Sequence, residues 1–324
     1  MKPQTTSPDS LKAATREHRG SGIRQRVLAD VKLPSNWQSF LRVNENKQEF
    51  FEFLSKQLLS TCKKHVVVTI GKSAANNFSH DMSSIMPCCQ EEADTRLMLH
   101  CKDAVSCGHK TVSIRTVDSD VVAIAVEVFE QIQPDELWMA FGTGKKYRFI
   151  PIHELVVSLG SLKALSLPFF HAFTGCDTTS SFSSRGKKSA WDAWTSYPAV
   201  TEAFTQLMQN PDQTDRFFGT LQRFVVVMYD RSSSATEVSE IYLCEEALWS
   251  HKDMVLMFQP YIFIAYASAA SPAQLVNVPT EVHAQSCSLE VNLHSQADSV
   301  TRASIFAKSV HLLICCKCNV SGLA

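Results

Sequence analysis

The stretch from His65 to Pro151 constrains the fold most, because β-branched runs alternate there with spans of helical spacing. His65–Ile70 (HVVVTI) reads as a buried strand. Glu91–Cys107 has helical spacing through Leu97, Leu99, Ala104 and Val105. Thr111–Val117 (TVSIRTV) reads as a strand, and Val121–Ile132 returns to helix. Leu137–Phe141 and Tyr147–Pro151 read as two strands around Gly142-Thr143-Gly144, a hairpin signal. This order predicts an α/β fold with a largely parallel sheet covered by helices on both faces. Upstream, Asn44 or Asn46 is placed to cap a helix whose apolar face is Phe50, Phe51, Phe53, Leu54 and Leu58. From Leu165 to about Tyr229 the pattern is helical throughout.

Four segments follow: a basic stretch over 1–43, an α/β core over 44–164, a helical extension over 165–240 and an irregular tail over 241–324. Lys+Arg 31 against Asp+Glu 32 leaves a net charge of −1, so affinity for nucleic acid has to come from local patches. The N-terminus is polar, with no apolar signal region, so the chain is expected inside the cell, in cytosol or nucleus, with the nucleus the favoured expectation. The 11 cysteines are then expected to be reduced, and the sequons at Asn77 and Asn319 unglycosylated. Met254–Ala270 is apolar but short for a membrane span and holds Pro260, so no membrane partner is expected. Cys315, Cys316 and Cys318 lack a second Cys/His pair at zinc spacing and read as reduced thiols.

Three acidic motifs fall where an α/β sheet places functional groups, at strand ends and helix starts. They are Glu91-Glu92-Ala93-Asp94, Asp118-Ser119-Asp120 after TVSIRTV, and Gly175-Cys176-Asp177 after LPFFHAFT. Each taken singly is accounted for as a helix cap or a first-turn carboxylate. Together they offer the several hard oxygen donors that Mg²⁺ or Mn²⁺ requires. Two such ions can activate a water and stabilise the leaving oxygen of a phosphodiester.

The order E-x-D on a helix, D-x-D after a strand, then G-C-D resembles the flap-endonuclease type of 5′-nuclease, a branch of the PIN-like superfamily. The same runs (EEADTR, DSDV, HAFTGCDT) are similar to a group of repetitive, transposon-associated animal proteins. The resemblance implies a PIN-like, mostly parallel sheet flanked by helices, with a helix–turn–helix extension. It assigns metal binding to Glu92, Asp94, Asp118, Asp120 and Asp177. Ser184-Arg185-Gly186-Lys187-Lys188 resembles the second half of the family's duplex-clamping turn, with Ser184 in place of a glycine. That implies backbone contacts from Arg185, Gly186, Lys187 and Lys188. Lys12, with Arg19 two helical turns on, resembles the pair that holds the scissile phosphate, a catalytic role, and Arg16 extends this remnant of the helical arch as a nucleic-acid contact.

The family's first strand, with its own metal-binding Asp, has no counterpart upstream of Lys12. The expected protein is a Mg²⁺- or Mn²⁺-dependent, structure-specific 5′-nuclease of branched or single-stranded DNA ends, impaired or inactive for want of that strand. The alternative is a non-catalytic nucleic-acid-binding or interaction protein of the same fold. Gly142-Thr143-Gly144-Lys145-Lys146 is no phosphate loop, since it lacks the Ser/Thr after the Lys and leads into a strand. His171, Cys176 and Asp177 are not read as a thiol nucleophile, because an apolar, acidic setting raises a thiol pKa.

Overall fold

The computed structural model describes residues 22–32, 34–88, 93–176, 179 and 181–240. Two compact units divide the chain at Glu91 and Glu92. The first holds helix α1 (Trp37–Leu41), helix α2 (Asn44–Thr61) and strands β1 (Val67–Ile70) and β2 (Ser73–Asn76). Asn44 is the first residue of α2, and the N-cap is Val43, which makes no side-chain cap. Asn46 does different work from the expected capping. It is fully buried in the first turn, accepts from the Arg24 guanidinium (2.9 Å) and the Gln25 N–H (3.0 Å), and donates to the carbonyls of Ile23 (2.7 Å) and Phe40 (2.8 Å). One amide thereby pins an extended segment to two helices. Phe50, Phe51, Phe53, Leu54 and Leu58 are only half-buried, since this unit has a small core of Val67, Met82 and Ile85.

β1 is not part of a parallel sheet. It pairs antiparallel with β2 across a tight turn at Gly71 (φ 59°), in a sheet of two strands. A partner a few residues away costs little loop entropy, so the local pairing wins over a distant parallel one.

The second unit contains α3 (Ala93–Ser106), β3 (Thr111–Thr116), α4 (Ser119–Ile132), β4 (Glu136–Phe141), β5 (Arg148–Pro151), α5 (Ile152–Leu159), α6 (Ser161–Phe173), α7 (Lys187–Ser196), α8 (Val200–Gln209) and α9 (Thr214–Tyr229). Its sheet is mixed, in the order β3-β4-β5, with β3 and β4 parallel and β5 antiparallel to β4. The expected mostly parallel sheet is therefore reduced to one parallel pair joined through α4. The β4–β5 connection is the expected hairpin. Gly142 sits at φ 87°, and a Cβ there would lie 2.6 Å from the Lys146 carbonyl oxygen, so only glycine fits without movement. The sheet is also not covered on both faces, because β3 alternates exposed and buried residues along its length.

α4 buries Val121, Ala123, Ile124, Ala125, Val126, Val128 and Ile132 and packs against α3, α5 and α6. α6 runs unbroken across position 164 and, with α7, α8 and α9, encloses an aromatic core. Trp194 is fully buried at its centre, stacked on Phe170 at 4.6 Å, with its indole N–H donated to the Thr201 hydroxyl (2.9 Å). Among the described residues no single helix is long and apolar enough to cross a membrane; α5 and α6 reach the length only as a pair bent by 104°.

Glu127 interrupts the apolar surface of α4. It is 4% exposed, one carboxyl oxygen has no partner, and the other accepts only a long bond from the Gln131 amide (3.4 Å). Burial pushes its pKa up to about 8. Between the ordinary value of 4.5 and about 8 the folded chain keeps this proton while the unfolded chain has lost it. The folded state then binds more protons, so stability falls as pH rises through that window. Glu127→Gln removes the titration. Its stability relative to the parent should rise between pH 5 and pH 8 by on the order of a few kcal/mol, measured by urea unfolding across that range.

Candidate functional site

The Asp118-Ser119-Asp120 motif lies at the C-terminal end of β3, where its carboxylates meet the first turn of α4. Asp118 is the N-cap, in an extended conformation that ends the strand and opens the helix. Its Oδ1 accepts the Asp120 N–H (3.1 Å), and its own N–H donates to the Thr116 hydroxyl (3.0 Å). Asp118 is buried and Asp120 half-buried. Asp120 is held from the opposite element: its Oδ1 lies 3.0 Å from Nε2 of His171, in the last turn of α6. Accepting that Nε2–H fixes the tautomer and orientation of the imidazole.

Lys187, the first residue of α7, reaches the same place. Its ammonium donates to the His171 carbonyl and to the Thr174 hydroxyl (2.8 Å). Thr174 is the C-cap of α6, so the lysine satisfies a carbonyl that the helix end leaves open and opposes the negative end of its dipole. Burial lowers the Lys187 pKa to about 8, against the pull of Cys176 and Asp120, which favour the charged form. Gly175 (φ 97°) then turns the chain. The Cys176 N–H donates to the Thr179 hydroxyl (2.7 Å), which lies 3.2 Å from the Cys176 sulfur.

The residues expected to bind metal or DNA are distributed as follows. Asp118 and Asp120 share one helix start, and Asp94 is buried in the first turn of α3. Among the described residues these three carboxylates do not close into a metal-sized cluster. Glu92 and Asp177, the other two expected ligands, lie outside the described residues, as do Lys12, Arg16 and Arg19. Gly186 is the N-cap of α7 and is exposed, and Ser184 takes φ 56°, the left-handed region that favours the glycine it replaces in the resemblance. Arg185 and Lys187 do not project as a phosphate clamp. The Arg185 guanidinium donates to the Tyr229 carbonyl (2.9 Å) and lies over the Tyr229 ring, and Lys187 is spent on the end of α6. Both are taken up because the turn they occupy has to be tied to α6 and α9. Lys188 alone of the three is exposed, with an i,i+4 pair to Asp192 at 2.9 Å.

Sequence reasoning missed the Asp120–His171 pair. The available signal was the one basic residue in the apolar run LPFFHAF, which has to meet a polar partner when the run is buried. No family model, curated protein or solved structure matches the chain.

The two exposed-versus-buried lysines give a direct check. Lys187→Met should lower stability by about 1–2 kcal/mol, since it strips a helix end of its cation and leaves a carbonyl unpaired. Lys188→Met should stay within about 0.5 kcal/mol of the parent. Thermal unfolding of the two variants side by side makes the comparison.

Proposed function

We propose that this chain is a metal-dependent phosphodiesterase of 5′-nuclease type acting on DNA. The observation that carries the reading is the Asp120–His171 contact across α4 and α6. It sets the helix start bearing Asp118 and Asp120 beside the helix end that runs into Gly175-Cys176, directly before Asp177. The Asp118–Asp120 motif thereby stands at the end of the parallel strand pair, where α/β sheets carry their ligand sites.

The donors suit a hard cation. Asp118 and Asp120 offer carboxylate oxygens, the chemistry Mg²⁺ and Mn²⁺ prefer, and Glu92 and Asp177 are the further donors the reading needs. Such an ion supplies charge for the attacking water and the leaving oxygen. The chain's own part is positioning: Asp118 holds the helix start through the Asp120 N–H, and His171 holds the Asp120 carboxylate. The Lys187 ammonium offsets some of the negative charge when no ion is present.

A second reading is favoured by the same group of residues. His171 occupies one Asp120 oxygen and Lys187 lies close by, an arrangement that also serves a non-catalytic, DNA-binding or interaction protein of this fold.

Mn²⁺ or Mg²⁺ should raise the melting temperature of the full chain. An Asp118→Asn/Asp120→Asn variant should lose that rise. Cleavage of a labelled flap substrate in Mn²⁺, lost in Asp120→Asn, establishes the hydrolytic reading. A thermal shift without cleavage selects the binding reading, and no thermal shift removes the metal from both.

A further inference from the structure

The sheet β3-β4-β5 presents one face to solvent. Thr111, Ser113 and Arg115 are exposed along β3 and alternate with buried Val112, Ile114 and Thr116. The register sets Arg115 beside Ala140 and Ala140 beside Phe149. Phe149 is 57% exposed and Tyr147, two residues before it on the same face, is 40% exposed. Their rings meet edge to face, centroids 5.3 Å apart and planes at 72°. The Arg115 guanidinium lies 4.4 Å from the centre of the Tyr147 ring and reaches the Gly142 carbonyl at 3.4 Å.

Around the hairpin the charge is of one sign. Lys145, Lys146 and Arg148 are exposed around the hairpin, with Arg148 over the Phe141 ring at 5.4 Å. Within the three strands and the hairpin loop the single acid is Glu136, at the far end of β4, where it accepts the Trp138 indole N–H (2.9 Å). Protecting an edge strand from self-pairing takes charge alone. It does not account for two large aromatics held open beside Arg115, Lys145 and Lys146.

We propose that this face binds single-stranded nucleic acid, with unpaired bases stacked on Phe149 and Tyr147 and the backbone phosphates met by Arg115, Lys145 and Lys146. Flat aromatic rings accept any base, and interleaved cations track the backbone, the combination that single-strand binding requires. Arg115, which already lies over Tyr147, holds that ring in place. The proposal does not depend on hydrolysis: it concerns a sheet face, and none of its residues is a candidate metal ligand.

The test is fluorescence anisotropy of short labelled oligo-dT, oligo-U and a duplex of equal length, titrated with the full chain in EDTA, so that no cleavage enters. Both single strands should bind at low salt and weaken as salt rises, and comparing dT with U tells DNA from RNA as the preferred source of the strand. Phe149→Ala and Tyr147→Ala should each weaken binding roughly tenfold or more. Phe149→Leu, which keeps apolar bulk and loses the π face, should behave like Phe149→Ala. Lys145→Gln/Lys146→Gln should lower affinity and flatten the salt dependence by roughly two contacts. Unchanged circular dichroism and melting confirm that the variants fold. Equal affinity in parent and aromatic variants, or preference for duplex over both single strands, overturns the proposal. So does absence of binding coupled to a Phe149→Ala loss of self-association in sedimentation, which assigns the face to a second copy of the chain.

Discussion

Burial of α4 on nearly all sides is the constraint on which the second unit depends. The helix joins the parallel strands β3 and β4 and packs against α3, α5 and α6. A helix in that position needs an apolar surface around most of its circumference, and DVVAIAVEVF provides one. Its axis is then fixed by neighbours on several sides, and so is its first turn, the place where Asp118 and Asp120 stand. Losing side-chain volume there would cost about 2–5 kcal/mol per large residue, since packed neighbours cannot collapse into the gap. Glu127 survives in this surface by keeping its proton, which makes it a stability cost carried at neutral pH.

Polar contacts then fix the register of the helices that α4 holds together. Ser166 in α6 is fully buried, with its hydroxyl 2.6 Å from that of Thr205 in α8. His171 binds Asp120 through its ring and Lys187 through its carbonyl, and so ties the start of α4, the end of α6 and the start of α7. The turn ahead of α7 is held at its other side as well, by Arg185 on the Tyr229 carbonyl and by the Tyr229 hydroxyl on the Ser183 carbonyl (2.8 Å). Such contacts narrow the arrangements open to these helices, although the buried Arg185 Nε has no partner among the described residues.

Elements with strong local signals were legible in the sequence. β3, α4 and the Gly142–Lys146 hairpin follow from β-branched alternation, a continuous apolar helix and glycines at positive φ. The extent of the parallel sheet was not legible. Ser73–Asn76 (SAAN) has no strand propensity of its own and becomes a strand only because HVVVTI folds back on it. α5 was missed because it follows β5 without a loop, with Pro151 as its N-cap and no side-chain cap to mark it. At the site, the Asp pair could be read because both residues adjoin a recognisable strand end. Its partner could not, since His171 lies 51 positions away and reaches Asp120 only through the packing of α4 on α6.

The charges tell the same story about which signals are local. Lys187 and Arg185 sit in a motif that reads as a clamp on a phosphate backbone, yet each is spent on a carbonyl of its own chain. Releasing Lys187 to a ligand would reopen the end of α6, so the gain in one contact is set against the loss of another. Lys145 and Lys146 carry no such cost: neither forms an ion pair among the described residues, and both are exposed on a glycine hairpin. Because β3 and β4 run parallel, that hairpin leaves the sheet at the same edge as Asp118. A chain of net charge −1 can therefore gather positive potential at one edge of one sheet, beside its acidic pair.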